Sequence, residues 1–185
     1  MEVEHFRDKA RYPEDVVFWP NLLPSCKRCN VAKGDHDVTV EQIVNPYEVN
    51  PKDHFSFRLY RLKAKSALGK RTLDVLDLNN LERVVQVRFE IGEAIQWSLE
   101  IAIEKLNSYK ISPTTRNKNR VLAHTRKLLS ECQAFSSYAA TSATVLQTDE
   151  KYHYLKKEMQ NMKFWDQELE DLDSFSISYA LDLIA

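Results

Sequence analysis

The chain has 185 residues, 43% of them hydrophobic and 29% charged, with a formal net charge of −1. That composition supports a real core and excludes wholesale disorder. Three glycines and six prolines are few for a turn-rich β fold and favour long helices. No apolar run approaches the roughly 18 residues of a membrane span, and the charged first ten residues do not read as a signal peptide. Cys26, Cys29 and Cys132 are an odd set with two members three apart, which is not a secreted disulfide framework and points to a cytoplasmic protein.

In chain order, a strand is predicted at Val3–Phe6, followed by a loop through Tyr12-Pro13 and Trp19-Pro20 and a short strand at Asn21-Leu22-Leu23. A turn from Pro24 to Cys26 leads into a short helix over Lys27–Lys33, stopped by Gly34. Asn45-Pro46 and Asn50-Pro51 mark an irregular stretch, and His54–Leu62 alternates apolar and charged residues as a half-buried strand does. From Leu81 the pattern is helical. Leu81, Val84, Val85, Ile91, Ile95, Leu99, Ala102, Ile103 and Leu106 share a face, with Asn79 or Asn80 as the cap. Ser112-Pro113 breaks this helix; a second is predicted over Thr115–Gln133, a third from Ser136 and a fourth over Trp165–Ile184. The expected fold class is α+β, with a small β/α module in residues 1–75 and a helical bundle in residues 76–185.

Charge is unevenly spread. Lys52, Arg58, Arg61, Lys63, Lys65, Lys70 and Arg71 face one acid, Asp53, in the same stretch, whereas Asp149–Asp173 is acidic. Two surfaces with different partners are expected, set against the plainer reading of solvated faces. The Phe55–Arg71 stretch, with interleaved aromatics, suits either a nucleic-acid groove or a half-buried sheet edge.

The residues able to do chemistry are concentrated before residue 37. Glu4 and His5 are neighbours at a strand end, where a carboxylate could ligate a hard cation and an imidazole could act as a general base on water. Asn30, on the short helix, could add an amide oxygen to the metal site. Asn21 could hold the backbone or ring of the His5 loop in place. Each of these residues taken singly is ordinary. Tyr12, Phe18 and Trp19 are expected to pack this module, and His124 and His153 to be surface or packing residues.

The string E-H-F-x-x-K-x-x-Y-P…W-x-N-L-L-x-S-C-x-x-C-N-x-x-K-G-D, dense over residues 3–37, resembles the HNH endonuclease motif, a ββα-metal finger. A weaker continuation through Ile43–Pro46, Asn50-Pro51, His54 and Leu76–Arg88 looks like the HNH subunit of Septu-type anti-phage systems (PtuB-like), including its form in retron-associated operons. The resemblance implies a metal-dependent hydrolase of DNA phosphodiester bonds. His5 would be the general base, Asn21 the residue that orients it, and Glu4 and Asn30 the ligands of one Mg²⁺ or Mn²⁺. Lys9, Lys27, Arg28 and Lys33 would be phosphate contacts. The resemblance also implies an ATPase partner of the PtuA type and, in retron operons, a reverse transcriptase/msDNA complex.

Many relatives carry a second C-x-x-C before the Glu/Asp-His pair and hold a structural Zn²⁺. Here Met1 stands three residues before Glu4, so Cys26 and Cys29 are expected to bind zinc weakly unless His36 or His54 assists. Asp8 stands where proline is common. Two competing readings are a non-catalytic nucleic-acid-binding scaffold that keeps the finger, and a C-x-x-C redox protein. The second fits poorly, because the thioredoxin-like βαβ context is missing. The apolar C-terminus (Phe175, Ile177, Tyr179, Leu181, Leu183, Ile184) and the acidic stretch before it are expected to dock the partner.

Overall fold

The computed structural model describes residues 2–183. It is α+β and divides into two compact units, the first running to Val85 and the second covering Gln86–Leu183.

The first unit opens with β1 (Glu2–His5), paired antiparallel with β2 (Leu22–Ser25) in the register Glu4↔Leu23 and His5↔Leu22. Helix α1 (Lys27–Lys33) follows at once. Its N-cap is Cys26, whose sulfur accepts from the Cys29 amide at 3.3 Å. Gly34 ends it at φ +54°, backbone space that L side chains avoid.

A hairpin comes next, β3 (Phe55–Arg58) against β4 (Arg61–Ala64). The single strand expected over His54–Leu62 is therefore broken. Buried positions change parity from Phe55 and Phe57 to Leu62 and Ala64, and the chain reverses at Leu59 and Tyr60, both at positive φ (48° and 61°). This tight turn normally takes Asn or Gly, so no turn residue announced it.

Helix α2 (Ala67–Val75) is an element the periodicity does not predict, being short and interrupted by glycine. It packs on the hairpin around Val44, Phe55 and Leu73. Thr72 Oγ1 accepts from the Val44 amide at 2.8 Å. Asn79 does not cap the following helix; it clamps β4, accepting from Leu62 N (2.9 Å) and donating to Leu62 O (2.8 Å). Asn80 is the cap, accepting from Arg83 N. Leu81, expected on the buried face, is 60% exposed.

The second unit is five helices: α3 (Gln86–Ile111), α4 (Thr115–Ser130), α5 (Ala139–Gln147), α6 (Glu150–Asn161) and α7 (Gln167–Tyr179). Thr114, Asp149 and Asp166 cap α4, α6 and α7 through their side chains. The Asp149 cap splits the expected third helix in two. The fourth is shorter than predicted, and Ile184 lies outside the described residues. Leu99, Leu106, Leu129, Leu146 and Leu155 are buried in one core. His124 joins α3 to α4 through the Ser98 carbonyl at 2.9 Å, and burial lowers its pKa. Phe175, Ile177 and Leu183 are exposed, while Tyr179 packs against the core. Among the described residues no helix is long and apolar enough to cross a membrane.

Inside this core Asp173, 1% exposed, accepts from Tyr152, Lys156 and Gln147. Burial alone would raise its carboxyl, but these donors hold it below the usual range. Three other acids of the C-terminal stretch are also paired with cations within the unit. Glu158 meets Lys110, and Asp166 and Glu168 meet Arg126.

Replacing Gly69 tests the α2 packing. A Cβ there would stand 2.4 Å from the His54 carbonyl oxygen. Gly→Ala inside a helix normally stabilises by up to about 1 kcal/mol. Gly69→Ala is expected to reverse that sign and cost about 1–3 kcal/mol, read as a lower midpoint in urea unfolding.

Candidate active site

Strand β1 ends in Glu4 and His5, and α1 turns back across it, so that Glu4, His5, Asp8, Lys9, Asn30 and Lys33 line a cleft of about 240 Å³. A larger concavity of about 400 Å³ in the second unit is lined by Gln96, Val145 and Thr148–Lys151. It brings together no nucleophile, base and metal-ligand set.

His5 is fixed by one ring nitrogen. Nε2 lies 3.1 Å from the Val16 carbonyl oxygen. A carbonyl only accepts, so Nε2 carries the proton and the neutral ring leaves Nδ1 as an acceptor. Among the described residues no protein group bonds to Nδ1. Asn21, 4% exposed, stands behind this arrangement. Its Oδ1 accepts from Arg7 N at 2.6 Å, and its Nδ2 donates to Arg7 O (3.2 Å) and Asp15 O (3.1 Å). It thus ties the residues just after His5 to the residue preceding Val16, holding the loop rather than the ring.

Glu4 is 7% exposed. One oxygen, Oε1, is 2.7 Å from Lys33 Nζ, and that ammonium also donates to the His5 carbonyl at 2.8 Å. Lys33 is itself 5% exposed. It was expected to meet phosphate, but its partners are instead the buried carboxylate and the β1 backbone. Lys9, Lys27 and Arg28 are exposed, with Lys9 on the cleft and the other two at the start of α1.

The second oxygen of Glu4, Oε2, is buried without a hydrogen-bond partner among the described residues. Asn30 donates Nδ2 to Glu2 Oε2 at 3.3 Å, leaving its own Oδ1 to the cleft. A buried orphan carboxylate oxygen and an amide oxygen suit a hard divalent cation that keeps several waters, as Mg²⁺ does. Among the described residues no three of His, Cys, Asp and Glu converge, so protein ligands would fill only part of its shell.

The zinc expectation fares differently. Cys26 and Cys29 face each other with sulfurs 3.2 Å apart. Burial opposes ionisation of Cys26, but hydrogen bonds from Cys29 and Arg28 and the Arg28 charge bring its pKa below the ordinary thiol value. His36 bonds to the Glu41 carbonyl and His54 to Ser66 Oγ, and among the described residues no third His, Cys, Asp or Glu joins the two thiols. Two thiols are half of a structural zinc set. Cys132 is fully buried in the other unit, its thiol pushed up to about 12 by desolvation.

Phe18 and Trp19 do not pack the finger as expected; they are 54% and 75% exposed on the loop held by Asn21. Tyr12 does pack, through its hydroxyl on Asp37 and Thr39. The spacing of Asn30 and Lys33 already places them on one helix face, a usable signal for the Lys33 role. The Val16 carbonyl has no side-chain signature at all.

Comparison with known proteins gives one informative match. The chain is 44% identical over 174 residues to the Septu protein PtuB of Bacillus thuringiensis, covering 93% of this chain and 68% of that protein. No family model matches the chain, and no solved structure matches it.

The Glu4–Lys33 pair yields a stability test. Removing one partner of a buried pair leaves an uncompensated charge and costs about 3–5 kcal/mol. Lys33→Met is expected to lose that much in urea unfolding. Adding Glu4→Gln to it should recover part of the loss, because the stranded charge is gone.

Proposed function

The chain belongs to the Septu PtuB family, and on that premise we propose that it is the metal-dependent HNH nuclease of a cytoplasmic anti-phage complex, cutting DNA phosphodiester bonds beside an ATPase subunit of the PtuA type. One observation carries the nuclease reading: His5, with its Nδ1 unbonded among the described residues, shares a cleft with Glu4, whose Oε2 is buried and unpartnered among the same residues. A scaffold subunit needs neither.

In this reading His5 Nδ1 accepts a proton from water as the water oxygen attacks phosphorus. The Val16 carbonyl holds Nε2–H throughout and stabilises the imidazolium that forms. Asn21 keeps the two ends of the loop together, so ring and carbonyl move as one body. Glu4 Oε2 and Asn30 Oδ1 would hold a single Mg²⁺ or Mn²⁺, which when bound neutralises the scissile phosphate and stabilises the leaving oxygen. Lys33 neutralises the other face of Glu4, keeping the carboxylate aimed without bringing a second acid near the substrate. Lys9, Lys27 and Arg28 bind flanking phosphates, contacts that give affinity without sequence choice. In retron-associated operons the same subunit would act within a reverse transcriptase/msDNA complex.

Cleavage of plasmid DNA with Mg²⁺ or Mn²⁺, in the presence of the ATPase, is the direct test. His5→Ala is expected to lower the rate by about 10²–10⁴ with melting temperature and DNA affinity unchanged; a parental rate removes His5 from the base role. Asn30→Ala is expected to move the midpoint of a Mg²⁺ titration upward, and an unmoved midpoint at parental maximal rate takes Asn30 off the metal.

A further inference from the structure

The basic stretch noted in the sequence is not used by the active site, and the fold gives it a shape. Arg61 and Lys63 alternate along β4 with Leu62 and Ala64, which pack into the core, so the two cations share the other face; Lys65, one residue past the strand, donates its ammonium to the Lys52 carbonyl at 3.0 Å. Arg58 stands directly opposite Arg61 across the hairpin. All four are exposed. Among the described residues no acid pairs with Arg58, Arg61 or Lys63, whereas Asp166, Glu168, Glu158 and Asp173 of the second unit are each matched to a cation. Like charges placed opposite each other on a sheet are destabilising, and the cluster of Arg58, Arg61 and Lys63, with no acid partner among the described residues, is poised for a polyanion. At the tip Leu59 is 79% exposed and Leu59 and Tyr60 both hold positive φ. An apolar residue thus occupies a turn position where Asn or Gly would fit with less strain.

We propose that the β3–β4 hairpin is a second nucleic-acid-binding element, separate from the catalytic cleft, in which Arg58, Arg61 and Lys63 track the phosphates of duplex DNA and Leu59 contacts the groove between them. A two-stranded ribbon has the width the major groove admits. Regularly spaced cations on one strand suit a repeating backbone charge better than a single anion. The proposal rests on the nucleic-acid reading above but not on catalysis.

The test is binding of a short DNA duplex of arbitrary sequence by fluorescence anisotropy in EDTA, across a salt series. The variants are the parent, an R58Q/R61Q/K63Q triple variant, and a control R116Q/R120Q/K127Q triple variant that removes the same charge from exposed positions on α4. The hairpin variant is expected to bind roughly tenfold or more weakly, with its log Kd–log[salt] slope smaller by about two to three, near 0.9 per lost phosphate contact. The control should remain near parental affinity. Leu59→Asn should weaken binding while holding or raising the melting temperature, since it relaxes the turn.

Parental affinity and slope in the hairpin variant, or an equal loss in the control, overturns the proposal. So does a parent chain that binds no duplex, which leaves an acidic protein surface as the partner of the cluster. Cleavage of the same duplex by the parent with Mn²⁺, in the presence of the ATPase subunit, separates the two readings. Cleavage with no hairpin effect sinks this proposal alone, and a hairpin effect without cleavage sinks the nuclease alone.

Discussion

The Lys33 ammonium is the contact on which the finger depends. It sits at the end of α1 and reaches two points on β1, the Glu4 carboxylate and the His5 carbonyl. Helix and strand are therefore locked at the place where the candidate metal ligand and base emerge. A buried ion pair is a poor source of net stability because desolvation of both ions opposes it. Its effect here is geometric. It fixes which carboxylate oxygen is satisfied, and the other, Oε2, is left without a partner among the described residues.

A second set of constraints acts on the loop between the strands. His5 gains a defined tautomer only because the Val16 carbonyl stands 3.1 Å from Nε2, and Asn21 holds the residue beside Val16. A buried amide making three backbone hydrogen bonds is hard to replace, since any smaller residue strands several polar groups at once. The arrangement divides the work: His5 and Glu4 face the cleft, while Asn21 and Lys33 act through them.

Charge is organised by unit. The helical unit pairs Glu100, Glu158, Asp166 and Glu168 with its own cations and buries an Asp173 hub that joins α5, α6 and α7. In the first unit, Arg58, Arg61 and Lys63 of the hairpin have no acid partner among the described residues. The near-zero net charge of the chain conceals this uneven pairing.

The sequence by itself determined a good deal. The E-H…N…N spacing with Cys26 and Cys29 marked the ββα finger, the family and the four candidate residues, because local motifs survive without tertiary information. The 3.6-residue period placed α3 and α4, and Ser112-Pro113 placed their boundary. Tertiary structure alone decided the rest. Lys33 read as a surface cation until the fold buried it against Glu4. The His5 tautomer depends on a backbone carbonyl eleven residues away, which no side-chain pattern encodes. The hairpin turn at Leu59-Tyr60 lacks the usual turn residues, so it is imposed by packing of Phe55, Leu62 and α2 rather than by local preference. Helix α2 escaped notice because Gly69, poor for helix propensity, is required by close approach to the His54 carbonyl. In each case a long-range contact overrode a weak local signal, and such contacts exist only once the chain is folded.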